Sequence, residues 1–174
     1  MAKKLIVQPL TQAAFEPFGS VIEIADNPWH QINGGTAVRF DKLATVEAYR
    51  SEQDLESPQI IISLFEAKPQ AFPLEVKLME RHPLGSQGFM PLNANPWLLV
   101  VSAADQAPSA ENLRAFIATG NQGVNYAAGV WHHPLIAIKG HSRFLVVDRD
   151  GSGNNLEEIS LRESVTIDNV PKEA

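Results

Sequence analysis

The sequence predicts an all-β domain, a barrel-like double sheet with only a few short helices. Three observations carry that reading. Short apolar runs recur between Gly, Pro and Asn at about the 8–12-residue spacing of a sandwich or barrel. Leu74, Val76 and Leu78 alternate with Glu75, Lys77 and Met79, the period of a strand with one buried face. "IIISLF" (60–65) and "WLLVV" (97–101) are unbroken apolar runs, which predict strands covered on both sides.

Taken in order, "KLIVQ" (4–8) opens the chain as a first strand. In "LTQAAFEPFG", Thr11 can cap a short helix that Pro17 and Gly19 close. Strand-like runs then follow as "SVIEIA", "TAVRF", "QIIISLFEA", "LEVKLMER", "SQGFMPL" and "PWLLVVSAA". "LRAFIATG", "GVNYAAG", "PLIAIKG" and "RFLVVDRD" complete the set. Residues 43–57 and the tail after Asn154 read as helical. "DRDGSGNN" is a turn-rich loop, with Asp148 and Arg149 forming a turn or an ion pair. No repeat or linker interrupts residues 1–174, which read as one domain.

Composition narrows the classes. Of the 174 residues, 44% are hydrophobic and 20% charged, the balance of a folded domain. A net charge of −6 argues against nucleic acid or an anionic membrane as partner, and leaves a small molecule. Cysteine is absent, which removes thiolate nucleophiles and Cys-based zinc sites and fits a cytoplasmic protein. The apolar start is broken by Gln8 and Pro9, too soon for a signal peptide, and no run is long enough for a membrane span.

Two clusters can carry chemistry. In "ERHPLGSQGFMPL" (80–92), continued alternation puts Glu80 and His82 on the face of Leu74 and turns Arg81 the other way, toward the surface or an interface. Burying those two groups without partners costs several kcal/mol, which a liganded cavity would relieve. Pro83 and Gly85 turn the chain and Gln87 begins the next strand. In "GNQGVNYAAGVWHHP" (120–134), Gly129 permits a tight turn and Pro134 keeps His133 extended. Adjacent strand residues face opposite ways, so His132 and His133 cannot both serve one site. His132 is the site candidate. His133 lines an interface or stacks on Trp131, itself a wall or core residue. No G-K-[ST] phosphate loop and no G-x-S-x-G elbow occurs, so neither a nucleotide cofactor nor a serine hydrolase is indicated.

The spacing from Glu80 through His82 to Gln87 resembles the first cupin motif, and "AAGVWH" resembles the core of the second. Glu80 stands where that motif has its first His, Gln87 where it has Glu, Ala127 where it has Pro, and Ile136 where an Asn follows His132. "LTQAAFEPFGSVIE", "INGG…VRFDKLA", "SLFEAKP", "LMERHPLGSQGFMPL", "LRAFIATGNQGVNYAAGVWHHPL" and "FLVVDR" together resemble the ureidoglycolate lyase family over nearly the full length.

The resemblance implies a cupin-like double-stranded β-helix, a homodimer, and cleavage of (S)-ureidoglycolate to glyoxylate and urea in allantoin and purine catabolism. It implies that Glu80, His82, Gln87 and His132 converge on a metal or substrate inside the barrel; for that reaction Glu80, His82 and His132 are the acid–base candidates, and Gln87, Asn33 and Arg39 the candidates for binding substrate. Asn33 and Arg39 sit with His30 beside Gly34 and Gly35, which suit either a simple turn or a loop that closes over the ligand with Arg39 meeting its carboxylate. An alternative use of Glu80, His82, Gln87 and His132 is to hold a divalent metal such as nickel, which would polarise the hydroxyl and carboxylate. The carboxamide of Gln87 argues against a structural zinc site. Two rival functions are an amidohydrolase that releases ammonia from the same compound and a non-catalytic cupin that only binds it.

Overall fold

A computed structural model describes residues 3–171. The N-terminal stretch supplies β1 (Lys3–Lys4) and β2 (Val7–Pro9), followed by helix α1 (Gln12–Phe15) and β3 (Gly19–Ile22). A hairpin of β4 (Trp29–Ile32) and β5 (Ala37–Phe40) precedes β6 (Gln59–Ala67), β7 (Leu74–Arg81) and β8 (Gln87–Pro91). Then come β9 (Trp97–Ser102), β10 (Arg114–Ala118), β11 (Gly123–Tyr126), β12 (Trp131–His132) and β13 (Ile136–Ala137). Two long strands, β14 (Ser142–Asp150) and β15 (Glu157–Ile167), end the fold.

The strands form a large sheet ordered β1-β15-β7-β12-β9-β10-β2, with β13 also on β9, and a smaller one ordered β3-β11-β8-β14-β6. The large sheet begins and ends with one stretch of chain. Lys3 and Lys4 run parallel to β15, and Val7–Pro9 run parallel to β10, so residues 3–9 tie its two edges into a ring.

The unbroken run of β9 is buried on both faces, as the sequence predicts. Trp97, Leu99 and Val101 join Phe89, Tyr126, Phe144 and Val146 between the two sheets. Leu98 and Val100 join Leu74, Val76, Ile117, Val165 and Ile167 on the other side. Burying each such side chain contributes about 1.5–3 kcal/mol, and β9 does so in both directions.

The Thr11 cap also forms, its side chain accepting the Ala14 N–H at 3.2 Å before a single turn that runs into a short 3-10 segment at Glu16–Phe18.

Four expectations are corrected. Residues 43–57 are not a helix. Their alternate backbone groups are taken by the small sheet and the turn that leads into β8, Thr45 O by Asn125, Glu47 by Ser86 and Tyr49 by Leu84 and Arg149, which draws them out as a strap over the sheet's outer face. Ser51 and Asp54 then make a turn of their own, the Asp54 carboxylate accepting the Ser51 N–H at 2.6 Å. The tail after Asn154 is β15, because Ile159, Leu161, Val165 and Ile167 all pack against the β7 side of the core, and that burial outweighs the helix preference of its glutamates.

The run 60–65 is covered on one face only. It lies in an edge strand paired solely with β14, and Ile60, Ile62 and Leu64 are 46%, 71% and 69% exposed. Asp148 and Arg149 are strand residues and not a turn. Arg149 forms an ion pair with Asp54 beneath the strap, with 0% and 2% of the two side chains exposed, while Asp148 faces the opposite way.

Candidate acid–base and metal site

Glu80 and His82 reach the interior by a route that alternation from Leu74 misses. Met79, and not Leu78, joins Leu74 and Val76 in their cluster, so the facing inverts within β7, opposite an irregularity in β15 between Ser160 and Val165. Glu80 therefore faces away from Leu74. It stands beside His132, which in turn is opposite Val101, a residue of the core between the sheets.

His132 is placed by a turn. The Val130 N–H donates to Ala127 O at 3.1 Å, and Gly129 takes φ +77°, the left-handed position that favours glycine. The Gly129 N–H donates to His82 O at 2.9 Å, which joins the two histidine segments.

Nδ1 of His132 lies 3.1 Å from Val130 O, and Nδ1 of His82 lies 2.7 Å from Asn155 O. A carbonyl can only accept, so each Nδ1 carries the hydrogen and each neutral ring presents a bare lone pair at Nε2. Both Nε2 atoms are buried and without a hydrogen-bond partner. His132 Nε2 is 3.5 Å from Glu80 Oε1, too long for a strong hydrogen bond, and two such acceptors are at ease together only with a proton or cation between them.

One ligand atom from each of Glu80, His82 and His132 lies within 4.8 Å of the others. Two imidazoles and a carboxylate, the rings fixed by backbone carbonyls, suit a borderline divalent ion. The residues present fit a metal.

Charge follows the same geometry. Burial alone would raise the Glu80 carboxyl, but the nearness of His132, with the charges of His82 and His133, outweighs it and holds the group below its ordinary range. Burial, reinforced by His132, pushes His82 down against the pull of the Asn155 carbonyl, Glu80 and Asp148. The pair is thus disposed as carboxylate and neutral imidazole near pH 7.

The small sheet adds Tyr126, which sequence reasoning missed, and Gln87, which it named. Tyr126 is stacked on His132, ring centroids 4.3 Å apart and planes within 8°, and burial first and Glu80 second push its phenol far above the usual range, so it stays a neutral donor. Gln87, opposite Tyr126 in the register, donates from Nε2 to Asp148 Oδ2 at 3.2 Å. The only trace of Tyr126 in the sequence is its alternation with Val124.

Asn33 and Arg39 lie elsewhere. Their hairpin is a separate two-stranded sheet, both residues are exposed, and the Arg39 guanidinium meets Asp41 at 2.6 Å. His133 is half-buried with Nδ1 on Pro134 O. It does not stack on Trp131, which carries the Arg81 guanidinium 4.5 Å from its ring centroid, and Arg81 is also paired with Glu157.

An open groove of about 800 Å³ runs past Ile22, Ile24, Leu43, Met90 and Leu92, and Glu23 is the one ionisable residue lining it. The titratable cluster of Glu80, His82 and His132 is not among the residues that line it.

Comparison with known proteins agrees over nearly the whole chain. The family described as ureidoglycolate lyase matches residues 2–168. A ureidoglycolate lyase of Pseudomonas syringae pv. syringae (strain B728a) is 48% identical over 162 residues, 93% of this chain and 92% of the relative. Ureidoglycolate lyase 1 of Rhizobium meliloti (strain 1021) is 50% identical over 167 residues, covering 96% and 95%. A ureidoglycolate lyase of Pseudomonas entomophila (strain L48) is 50% identical over 156 residues, 90% of each chain.

Proposed function

The chain belongs to the ureidoglycolate lyase family, and from that premise we propose that it cleaves (S)-ureidoglycolate to glyoxylate and urea in allantoin and purine catabolism. The observation that carries the mechanism is the convergence of two buried, bare imidazole nitrogens and a partly buried carboxylate.

Ureidoglycolate is a carbinolamine. Its collapse moves the hydroxyl proton to a base, forms the aldehyde C=O, breaks the C–N bond and places a proton on the departing urea nitrogen. No water is consumed and the protons balance. Glu80 and the Nε2 atoms of His82 and His132 are the acceptors for the first proton, and the group that receives it can return it to nitrogen. General acid–base catalysis of this kind contributes roughly 10²–10⁴-fold.

Glu80, His82 and His132 would hold a divalent ion such as nickel, with Gln87 facing them. The chemistry such an ion supplies when bound is Lewis acidity toward the hydroxyl and carboxylate oxygens. Fixing both Nδ1 atoms on carbonyls serves either use, because it keeps Nε2 free.

The assembly we infer is a homodimer through β6. That strand is a nine-residue unpaired edge with Ile60, Ile62 and Leu64 outward, the kind of surface that a second copy covers by antiparallel pairing. The hairpin bearing Asn33 and Arg39 is a surface element that would reach substrate by closing over it. Among the described residues no helix is long and apolar enough to cross a membrane; the cytoplasm is the compartment that fits a cysteine-free enzyme of this kind.

The test is a product assay on racemic ureidoglycolate with glyoxylate, urea and ammonia quantified together, before and after chelation. Glyoxylate with stoichiometric urea and no ammonia is expected. Ammonia would make the protein a hydrolase, and no consumption of either enantiomer with metals supplied would refute the lyase.

A further inference from the structure

We propose that Asp148 and Gln87 form a two-acceptor subsite that reads the N–H groups of the ureido moiety. The inference rests on the lyase reading for its substrate but on separate residues for its evidence.

Phe144 and Val146 of β14 are fully buried in the core between the sheets, and Asp148 is the next residue with the same facing. Gln87 opens β8 on the same side, opposite Tyr126. Both side chains therefore look across at Glu80, His82 and His132, and Asp148 is near enough to His82 for its charge to be felt there.

The hydrogen bond between them fixes which atoms are left over. A carboxylate only accepts, so the Gln87 group facing Asp148 Oδ2 must be its NH₂, and its carbonyl oxygen points elsewhere. Gln87 Oε1 and Asp148 Oδ1 are both buried with no hydrogen-bond partner. Two orphaned acceptors on a hydrogen-bonded pair of side chains are uncommon in a folded protein and call for donors.

A ureido group is the complement of that pair. Its two nitrogens carry three N–H bonds, and two of these point the same way, in the fork that paired oxygens accept. The rest of the substrate fits poorly there, because its carboxylate would meet Asp148 as a like charge. The subsite thus sets orientation as well as affinity. The ureido end lies on the small sheet and the carboxylate end lies away from Asp148, with the carbinol carbon toward the triad.

The experiment is calorimetric titration of the metal-supplemented wild type, Asp148→Asn and Gln87→Met with two ligands. N-carbamoylglycine has the ureido and carboxylate groups but no labile hydroxyl, so it binds without being cleaved. Glycolate has the hydroxyl and carboxylate but no ureido group. Both variants keep side-chain volume, and thermal melts check their folding.

Each variant is expected to bind N-carbamoylglycine roughly tenfold or more weakly, and glycolate within about threefold of wild type, as the loss of one or two charge-assisted hydrogen bonds predicts. Unchanged affinity for N-carbamoylglycine would overturn the proposal and leave the two oxygens to water. An equal loss for glycolate, or no binding of N-carbamoylglycine by the wild type, would overturn it as well. The two readings fail separately. Wild type that binds N-carbamoylglycine through Asp148 yet leaves ureidoglycolate intact refutes the lyase alone, whereas an active wild type with undiminished ureido affinity in both variants refutes the subsite alone.

Discussion

Glu80→Gln is the substitution that tests the triad most directly. It keeps the shape of the side chain and removes one negative charge from between two buried imidazoles. Glu80 Oε1 is 3.5 Å from His132 Nε2, and 21% and 2% of the two side chains are exposed. At that separation and an effective dielectric near 20, a carboxylate favours a positive charge on the ring by about 5 kcal/mol. Water reaching Glu80 screens part of this, and roughly half is a fair expectation for a pair at the edge of a cavity. At about 1.4 kcal/mol per decade, the surviving stabilisation of a proton arriving on His132 is worth roughly 10²-fold in rate, rising toward 10³ where screening is weakest. The assay is kcat from glyoxylate release at saturating substrate, with circular dichroism and a thermal melt to confirm folding. Loss of about two decades with KM little changed is expected. A variant within about threefold of wild-type kcat would refute the assignment of Glu80 to the chemistry.

Three further outcomes follow from the same structure. His82 and His133 are both held below the ordinary imidazole value of 6.5, chiefly by burial, and Glu80 below its ordinary 4.5. The unfolded chain therefore takes up protons first, and stability present above pH 6.5 is lost as pH falls through the folded histidine values, with a second loss below 4.5 from Glu80. Calorimetric melts across pH 4 to 8 read this, and a Tm that does not fall between pH 6.5 and 5 would contradict it. Asn155→Ala removes the oxygen that accepts the Leu84 N–H at 2.8 Å and so loosens the carbonyl that orients His82; metal affinity by titration should drop roughly tenfold or more, as for other partners of ligand histidines, and Asn155→Asp should restore most of it. Leu64→Glu places a charge on a side chain 69% exposed in one copy; sedimentation should shift from dimer to monomer with the monomer's own stability altered by no more than about 0.5 kcal/mol, and an intact dimer would move the interface away from β6.

Much of this was legible in the residues. The unbroken run of β9, the Thr11 cap, the Gly129 turn and the start of β8 at Gln87 are all local facts, set by side-chain period, capping chemistry and backbone freedom. Glu80, His82 and His132 were recognisable because their spacing resembles a known motif. Errors arose where a distant partner decided the outcome. The strap 43–57 has helix-forming residues, yet its backbone groups are claimed by Ser86, Asn125 and Arg149. Alternation counted from Leu74 cannot see the irregularity in β15 that accompanies the change of facing in β7. Tyr126 and Asp148 acquire meaning only through register, one beside Gln87 in β8 and stacked on His132, the other hydrogen-bonded to Gln87. Register between strands far apart in sequence leaves no mark in a single chain.

The ring closed by residues 3–9 has a consequence for the order in which the molecule comes into being. Val7 pairs with Ala115 and Lys3 with Val165, so neither contact can form until more than a hundred further residues exist. Contacts of such long sequence separation slow folding, because the intervening loop must be closed before they add any stability. On a ribosome residues 3–9 emerge before both of their neighbours and wait for them, and the ring is sealed only when β15 has left the exit tunnel. Of the strands in the ring, the one made first is placed last.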